Sequence, residues 1–130
     1  MLAPRTTAFL FPGQGSQFVG MGHDLAESSP AAQHVFKSAD RVLGIQISAL
    51  CWHGPADELN DTHNTQPALY TCSLAALAAL RDEIGEIKPA FAAGHSLGEI
   101  TALAAAGALS FESGLELVRE RGRLMKLAGE

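Results

Sequence analysis

The residues best suited to chemistry form Gly94-His95-Ser96-Leu97-Gly98, a G-x-S-x-G pattern. In this pattern a serine occupies a sharp strand-to-helix turn, the flanking glycines relieve crowding, and the hydroxyl projects above a sheet as a nucleophile. A chance match is expected in about one chain in ten of this composition, so the motif needs its mechanical context. The context is present, because an apolar run from Pro89 to Ala93 precedes it and an Ala-rich helical stretch follows. Ser96 then sits at a helix N-terminus, where partial positive charge favours a developing oxyanion. The alternative is a tight turn carrying a structural serine.

A second loop, Phe11-Pro12-Gly13-Gln14-Gly15-Ser16-Gln17, follows another apolar run. It is not a phosphate loop. No Gly-Lys-Ser/Thr follows, and Phe18 stands where a dinucleotide fingerprint needs its third glycine. What remains is a glycine-flexed loop able to turn a backbone N–H toward a ligand. An oxyanion hole in such a site needs one donor from the residue after the serine and one from another loop. Leu97 and Gln14 would be those donors, with a plain Gly-rich turn as the alternative reading of the loop.

Arg121 is the third candidate. A helix of about ten residues from Leu97, a short connection at Gly107, and a second helix of about eleven residues from Phe111 bring the chain back level with Ser96. A guanidinium there is suited to a substrate carboxylate. Charge pattern alone favours the blander reading, in which Arg119, Arg121 and Arg123 form a solvated face near a helix C-terminus. A serine nucleophile also needs a base. His95 is adjacent in sequence, but neighbouring side chains diverge in a tight elbow, and it is expected to turn toward the sheet or a supporting hydrogen bond. His23, His34, His53 and His63 carry no local signature of a base. Glu99, in the first helical turn after Ser96, is read as a dipole-favoured structural carboxylate.

The elements that must hold these residues follow from periodicity. Thr6 to Phe11 reads as a strand buried on both faces, closed by Pro12-Gly13. Ser29 as N-cap and Pro30 at the first helical position open a helix that ends at Gly44. Gln46 to Thr65 reads as short and irregular, a longer helix runs from about Gln66-Pro67 to Gly85, and Ser110 caps the last helix, whose Leu115, Val118, Gly122 and Met125 share one face. Strands alternating with helices give an α/β fold with a parallel sheet. Only two convincing strands appear, fewer than a doubly wound core requires.

Composition narrows the partners. The 130 residues are 47% hydrophobic with a formal charge of −5, which fits one globular core and offers no basic field for nucleic acid or anionic lipid. Cys51 and Cys72 stand 21 residues apart without a C-x-x-C pair, so neither a zinc site nor a disulfide framework is indicated and both are read as reduced core thiols. The N-terminal apolar run is too short for a signal peptide and no stretch is long enough for a membrane helix, so the expected address is cytoplasmic.

Five ordered blocks, Phe11 to Gln17, Gly20-Met21-Gly22, Thr65-Gln66-Pro67-Ala68, Gly94 to Glu99 and Arg121-Gly122-Arg123-Leu124-Met125, resemble the malonyl-CoA:acyl-carrier-protein transacylase family in order and approximate spacing. The resemblance implies an α/β-hydrolase-like acyltransferase core. It also implies a ping-pong reaction: Ser96 takes the malonyl group from coenzyme A and passes it to the phosphopantetheine thiol of acyl carrier protein. Gln14 and Leu97 would supply oxyanion-hole N–H groups, Gly94, His95 and Gly98 would shape the elbow, and Arg121 would pair with the free malonate carboxylate. No bound cofactor or metal is implied; the coenzyme A thioester enters as substrate. Members take their catalytic histidine, and a smaller ferredoxin-like subdomain, from segments downstream of the arginine helix. Residues 1–130 are therefore expected to be the N-terminal portion of the large subdomain, completed by further chain or a second polypeptide. The start at Met1 looks more like the stand-alone bacterial fatty-acid enzyme than a polyketide-synthase acyltransferase segment. A serine esterase of α/β-hydrolase type and an inactive carrier-protein-binding fragment are the rival readings.

Overall fold

The computed structural model describes residues 2–130. Two short strands, β1 (Ala8–Phe11) and β2 (Phe91–Gly94), pair in parallel with Ala8 opposite Phe91 and Phe11 opposite Gly94. Between them run α1 (His23–Ser28), α2 (Pro30–Leu43), α3 (Ile47–His53), α4 (Ala56–Leu59) and α5 (Thr62–Ile84); α6 (Leu97–Ala105) and α7 (Phe111–Gly129) follow β2. The α/β class with a parallel sheet is as expected.

Strand β1 begins two residues later than its apolar run suggests. Pro4 starts a 3-10 turn over Pro4–Thr6, the Thr7 hydroxyl donates to the Ala3 carbonyl at 2.7 Å, and Thr7 meets the other strand only through its carbonyl, which accepts the Ala90 N–H at 2.9 Å. The expectation of burial on both faces is also corrected. Phe9, Phe11 and Ala92 pack toward Leu74 and Leu77 of α5 and Ala102 and Ala105 of α6, whereas Leu10 and Phe91 on the other face are 77% and 75% exposed. Alternating side chains point to opposite faces, and among the described residues only one face carries helices. An apolar groove of about 460 Å³ lies between β1 and α5, lined by residues such as Leu10, Phe18, Leu69 and Leu80.

Helix α2 forms where its end signals place it. Ser29 Oγ accepts the Ala32 N–H at 3.2 Å, Pro30 opens the helix, and Gly44 at φ 67° closes it. The segment read as irregular instead holds α3 and α4, which bury Ile47, Cys51 and Leu59. Helix α5 starts at Thr62 rather than near Gln66, because Asp61 caps it by accepting the His63 N–H at 3.1 Å. Pro67 lies within its first two turns, and α5 becomes the central helix of the molecule, packed by α2, α3, α6 and α7.

Helix α7 lies unusually close to α5. A Cβ on Gly114 would collide with the Tyr70 hydroxyl, and one on Gly122 would sit 2.7 Å from the Thr62 carbonyl oxygen. These two glycines, eight residues apart, lie on the face that also buries Leu115 and Val118. The Tyr70 hydroxyl donates to the Phe111 carbonyl at 2.8 Å, pinning the start of α7. Helix α7 continues well past Arg121, and Met125, expected on the buried face, is 47% exposed.

Candidate active site

Ser96 joins β2 to α6 in a backbone conformation of φ 58°, ψ −116°, the only positive φ at a non-glycine among the described residues. An L-residue is held there only when its surroundings over-determine it, and such strain clusters at functional positions. The determinants are visible. A Cβ on Gly94 would overlap the Gly98 carbonyl, and a Cβ on Gly98 would press on the Phe11 and Pro12 carbonyls, so only glycine lets α6 start this close to both strand ends. The His95 N–H donates to the Phe11 carbonyl at 3.1 Å, extending the sheet pairing into the turn. Leu97 is the first residue of α6 and has no intrahelical acceptor for its N–H.

The loop after β1 lies against this turn. A Cβ on Gly13 would sit 2.5 Å from the His95 carbonyl oxygen and 2.8 Å from its Nδ1. The His95 side chain is thus exposed beside Gly13 rather than turned into the sheet. Two glutamines fasten the loop to the junction of α4 and α5. Gln14 Oε1 accepts the Thr62 hydroxyl at 2.7 Å, and Gln17 receives the Gly15 N–H at 2.7 Å while donating to Asn60 Oδ1 at 2.8 Å.

Arg121 reaches Ser96. Its Nη2 donates to Ser96 Oγ at 3.0 Å and its Nη1 to Gln66 Oε1 at 2.8 Å. The neighbouring arginines do neither. Arg123 forms a fork with Glu120 at 2.6 and 2.8 Å on the solvent side, and Arg119 donates to Asn64 Oδ1 at 3.1 Å. The solvated-face reading therefore describes Arg123 and not Arg121. Around this edge Lys126 hydrogen-bonds Asp61 and holds its carboxyl below the ordinary range, while burial and the Arg119 charge lower the pKa of His63. Among the described residues no histidine hydrogen-bonds Ser96, and Glu99 is an exposed first-turn carboxylate.

Two residues at the heart of this geometry, Thr62 and Gln66, do not stand out by charge or spacing. Gln66 is 1% exposed, an amide side chain buried in α5 alongside the buried Thr65 and Thr71, where it must find hydrogen-bond partners, and its place in the Thr65-Gln66-Pro67-Ala68 block is the signal the sequence offers.

A strained serine at the carboxyl end of a parallel strand, beneath a helix N-terminus and within reach of a buried-edge arginine, defines an α/β protein with a nucleophile elbow. The acyl transferase domain family matches residues 8–129, and the chain belongs to that family. It is 53% identical over 93% of its length to a malonyl CoA-acyl carrier protein transacylase of Bacillus subtilis, of which it spans 38%. The structure superposes with a TM-score of 0.89 on a malonyl CoA-acyl carrier protein transacylase from Coxiella burnetii, at 44% identity over 95% of this chain and 39% of that one. It also matches, at TM-score 0.87 and 46% identity over 93% of this chain and 39% of that one, a malonyl-transacylase solved in complex with its type II PKS acyl-carrier protein. The chain thus spans about two fifths of the length of the relatives it matches.

Proposed function

We propose that these residues supply the nucleophile, oxyanion donors and carboxylate grip of a malonyl-CoA:acyl-carrier-protein transacylase. Ser96 Oγ attacks the thioester carbonyl, the tetrahedral oxyanion is received by the N–H groups of Leu97 and Gln14, and the C–S bond breaks as coenzyme A leaves with a proton. The malonyl-serine ester is then attacked by the phosphopantetheine thiol of the carrier protein, which returns Ser96 to its hydroxyl form. A guanidinium donates hydrogen bonds and has no acceptor, so Arg121 cannot take the serine proton. The general base is assigned to a histidine outside these 130 residues, as the family resemblance implies.

The observation that carries this reading is the Arg121–Ser96 contact at 3.0 Å. A planar cation beside the nucleophile serves a donor whose acyl group carries its own carboxylate, and it distinguishes this site from an esterase that transfers to water. Two free cysteines among the described residues fit a reducing, cytoplasmic setting. Some relatives are named for polyketide biosynthesis, and the same transfer would serve fatty-acid synthesis equally. The test is malonyl transfer from malonyl-CoA to a holo acyl carrier protein by the full-length protein. Transfer abolished by Ser96→Ala supports the reading. Release of malonate to water at the same rate with or without carrier protein contradicts it.

A further inference from the structure

A chain of hydrogen bonds runs from the loop after β1 to the arginine, and its direction is fixed from one end. Arg121 only donates, so the Gln66 atom 2.8 Å from its Nη1 must be the carbonyl oxygen. The Gln66 amide nitrogen then faces the Thr62 hydroxyl at 3.2 Å and the Met125 sulfur at 3.3 Å, spending its two protons there. Thr62 Oγ1 must accept from Gln66, which leaves its single proton for Gln14 Oε1 at 2.7 Å. Thr62 is the junction at which the carboxylate grip and the oxyanion-hole loop meet. It stands at the first position of α5, pressed on by Gly122 of α7, the residue after Arg121.

We infer that Thr62 is a positioning residue that sets Gln14 and Arg121 together, so that the loop donating to the oxyanion and the cation receiving the malonate carboxylate are held in one register. This rests on the malonyl-transfer reading above. Thr62 touches no reacting atom; it acts through Gln14 and through Gln66.

The experiment compares Thr62→Val, which keeps the shape and removes the hydroxyl, with Thr62→Ser, which keeps the hydroxyl, in the full-length protein. Loading of Ser96 from malonyl-CoA and from acetyl-CoA is followed, with melting temperature as the control on folding. Thr62→Val is expected to lower kcat/KM for malonyl-CoA by about 10–100-fold, the scale of a lost hydrogen bond to a charged network, and to lower that for acetyl-CoA less. Thr62→Ser should stay within about threefold of wild type. In an Arg121→Ala background the Thr62→Val loss should shrink severalfold, because the residues act as a unit. Thr62→Ala, with no bulk to misplace, reads the same loss if valine disturbs the helix start. Wild-type selectivity in Thr62→Val, equal losses in the serine and valine variants, or full additivity with Arg121→Ala overturns the coupling alone. A wild-type protein that loads no malonyl group overturns the functional reading and the coupling with it.

Discussion

Replacing Gly122 with alanine places a methyl group where α7 touches the start of α5. The added carbon would lie 2.7 Å from the Thr62 carbonyl oxygen and 3.1 Å from the His63 Cα, and both are backbone atoms that cannot swing aside. Restoring ordinary contact near 3.5 Å requires α7 to retreat by about 0.5–1 Å. Overpacking of this kind costs about 1–3 kcal/mol, while helix propensity returns about 1 kcal/mol for Gly→Ala, so the net loss is about 0–2 kcal/mol. The effect on the site is larger than the effect on stability. Arg121 precedes Gly122, and a retreat of that size stretches its 3.0 Å contact with Ser96 to or beyond the limit of a hydrogen bond. Gly129→Ala is the matched control, because nothing lies within 4 Å of the added carbon and it lies in the last turn of the same helix. Thermal melting and malonyl loading of Ser96 read both quantities. Gly122→Ala should melt at or below wild type and load malonyl at least about tenfold more slowly, with Gly129→Ala unchanged or slightly more stable. A Gly122→Ala protein that melts above wild type and loads at the wild-type rate would refute the argument that close helix packing aims Arg121.

Removing the guanidinium in Arg121→Ala should cost about 1.5–3 kcal/mol of transition-state binding for malonyl-CoA, or roughly 10–100-fold in kcat/KM, with acetyl-CoA loading affected far less; equal losses on both thioesters would count against a carboxylate grip. Burial and the Arg119 charge lower the folded pKa of His63 beneath its ordinary value of 6.5, so its contribution to stability is complete above that value and is lost as pH falls through the lowered folded pKa. An NMR titration of His63 should therefore show a midpoint below 6.5, and His63→Gln should flatten the acid side of the stability profile; a midpoint at or above 6.5 would remove the basis for this. Burial pushes the Cys72 thiol up to about 11, so iodoacetamide at neutral pH should label it far more slowly in the folded protein than after unfolding, and equal rates in the two states would contradict this.

The nucleophile elbow was legible because its chemistry is local. Gly94 leaves room for the Gly98 carbonyl four positions on, the G-x-S-x-G spacing announces the turn by itself even though Gly98 also clears the distant Phe11 and Pro12 carbonyls, and the Ser29-Pro30 and Gly44 signals bound α2 locally. The bare face of the sheet was not legible, because Leu10 and Phe91 have the composition of a buried strand, and composition reports what a residue prefers rather than what covers it. The true start of α5 was hidden for a different reason. Pro67 looks like a helix beginning, but the Asp61 cap opens the helix at Thr62, four residues before Gln66, and Pro67 lies inside it as the sixth residue. Arg121 could be placed near Ser96 by counting rises along two antiparallel helices. Its orientation came from Gln66, Thr62 and Gly122, whose roles depend on contacts across 48 to 60 residues of sequence.

In the proposed reaction Ser96, held in a strained turn and faced by Arg121, carries the acyl group during transfer. Brief reaction of the full-length protein with malonyl-CoA, acid quenching and peptide mass spectrometry test it directly. A malonyl ester is expected on the peptide containing Ser96, absent in Ser96→Ala and discharged by holo acyl carrier protein. Acyl transfer that proceeds at the wild-type rate with the label on another residue, or in Ser96→Ala, would contradict it.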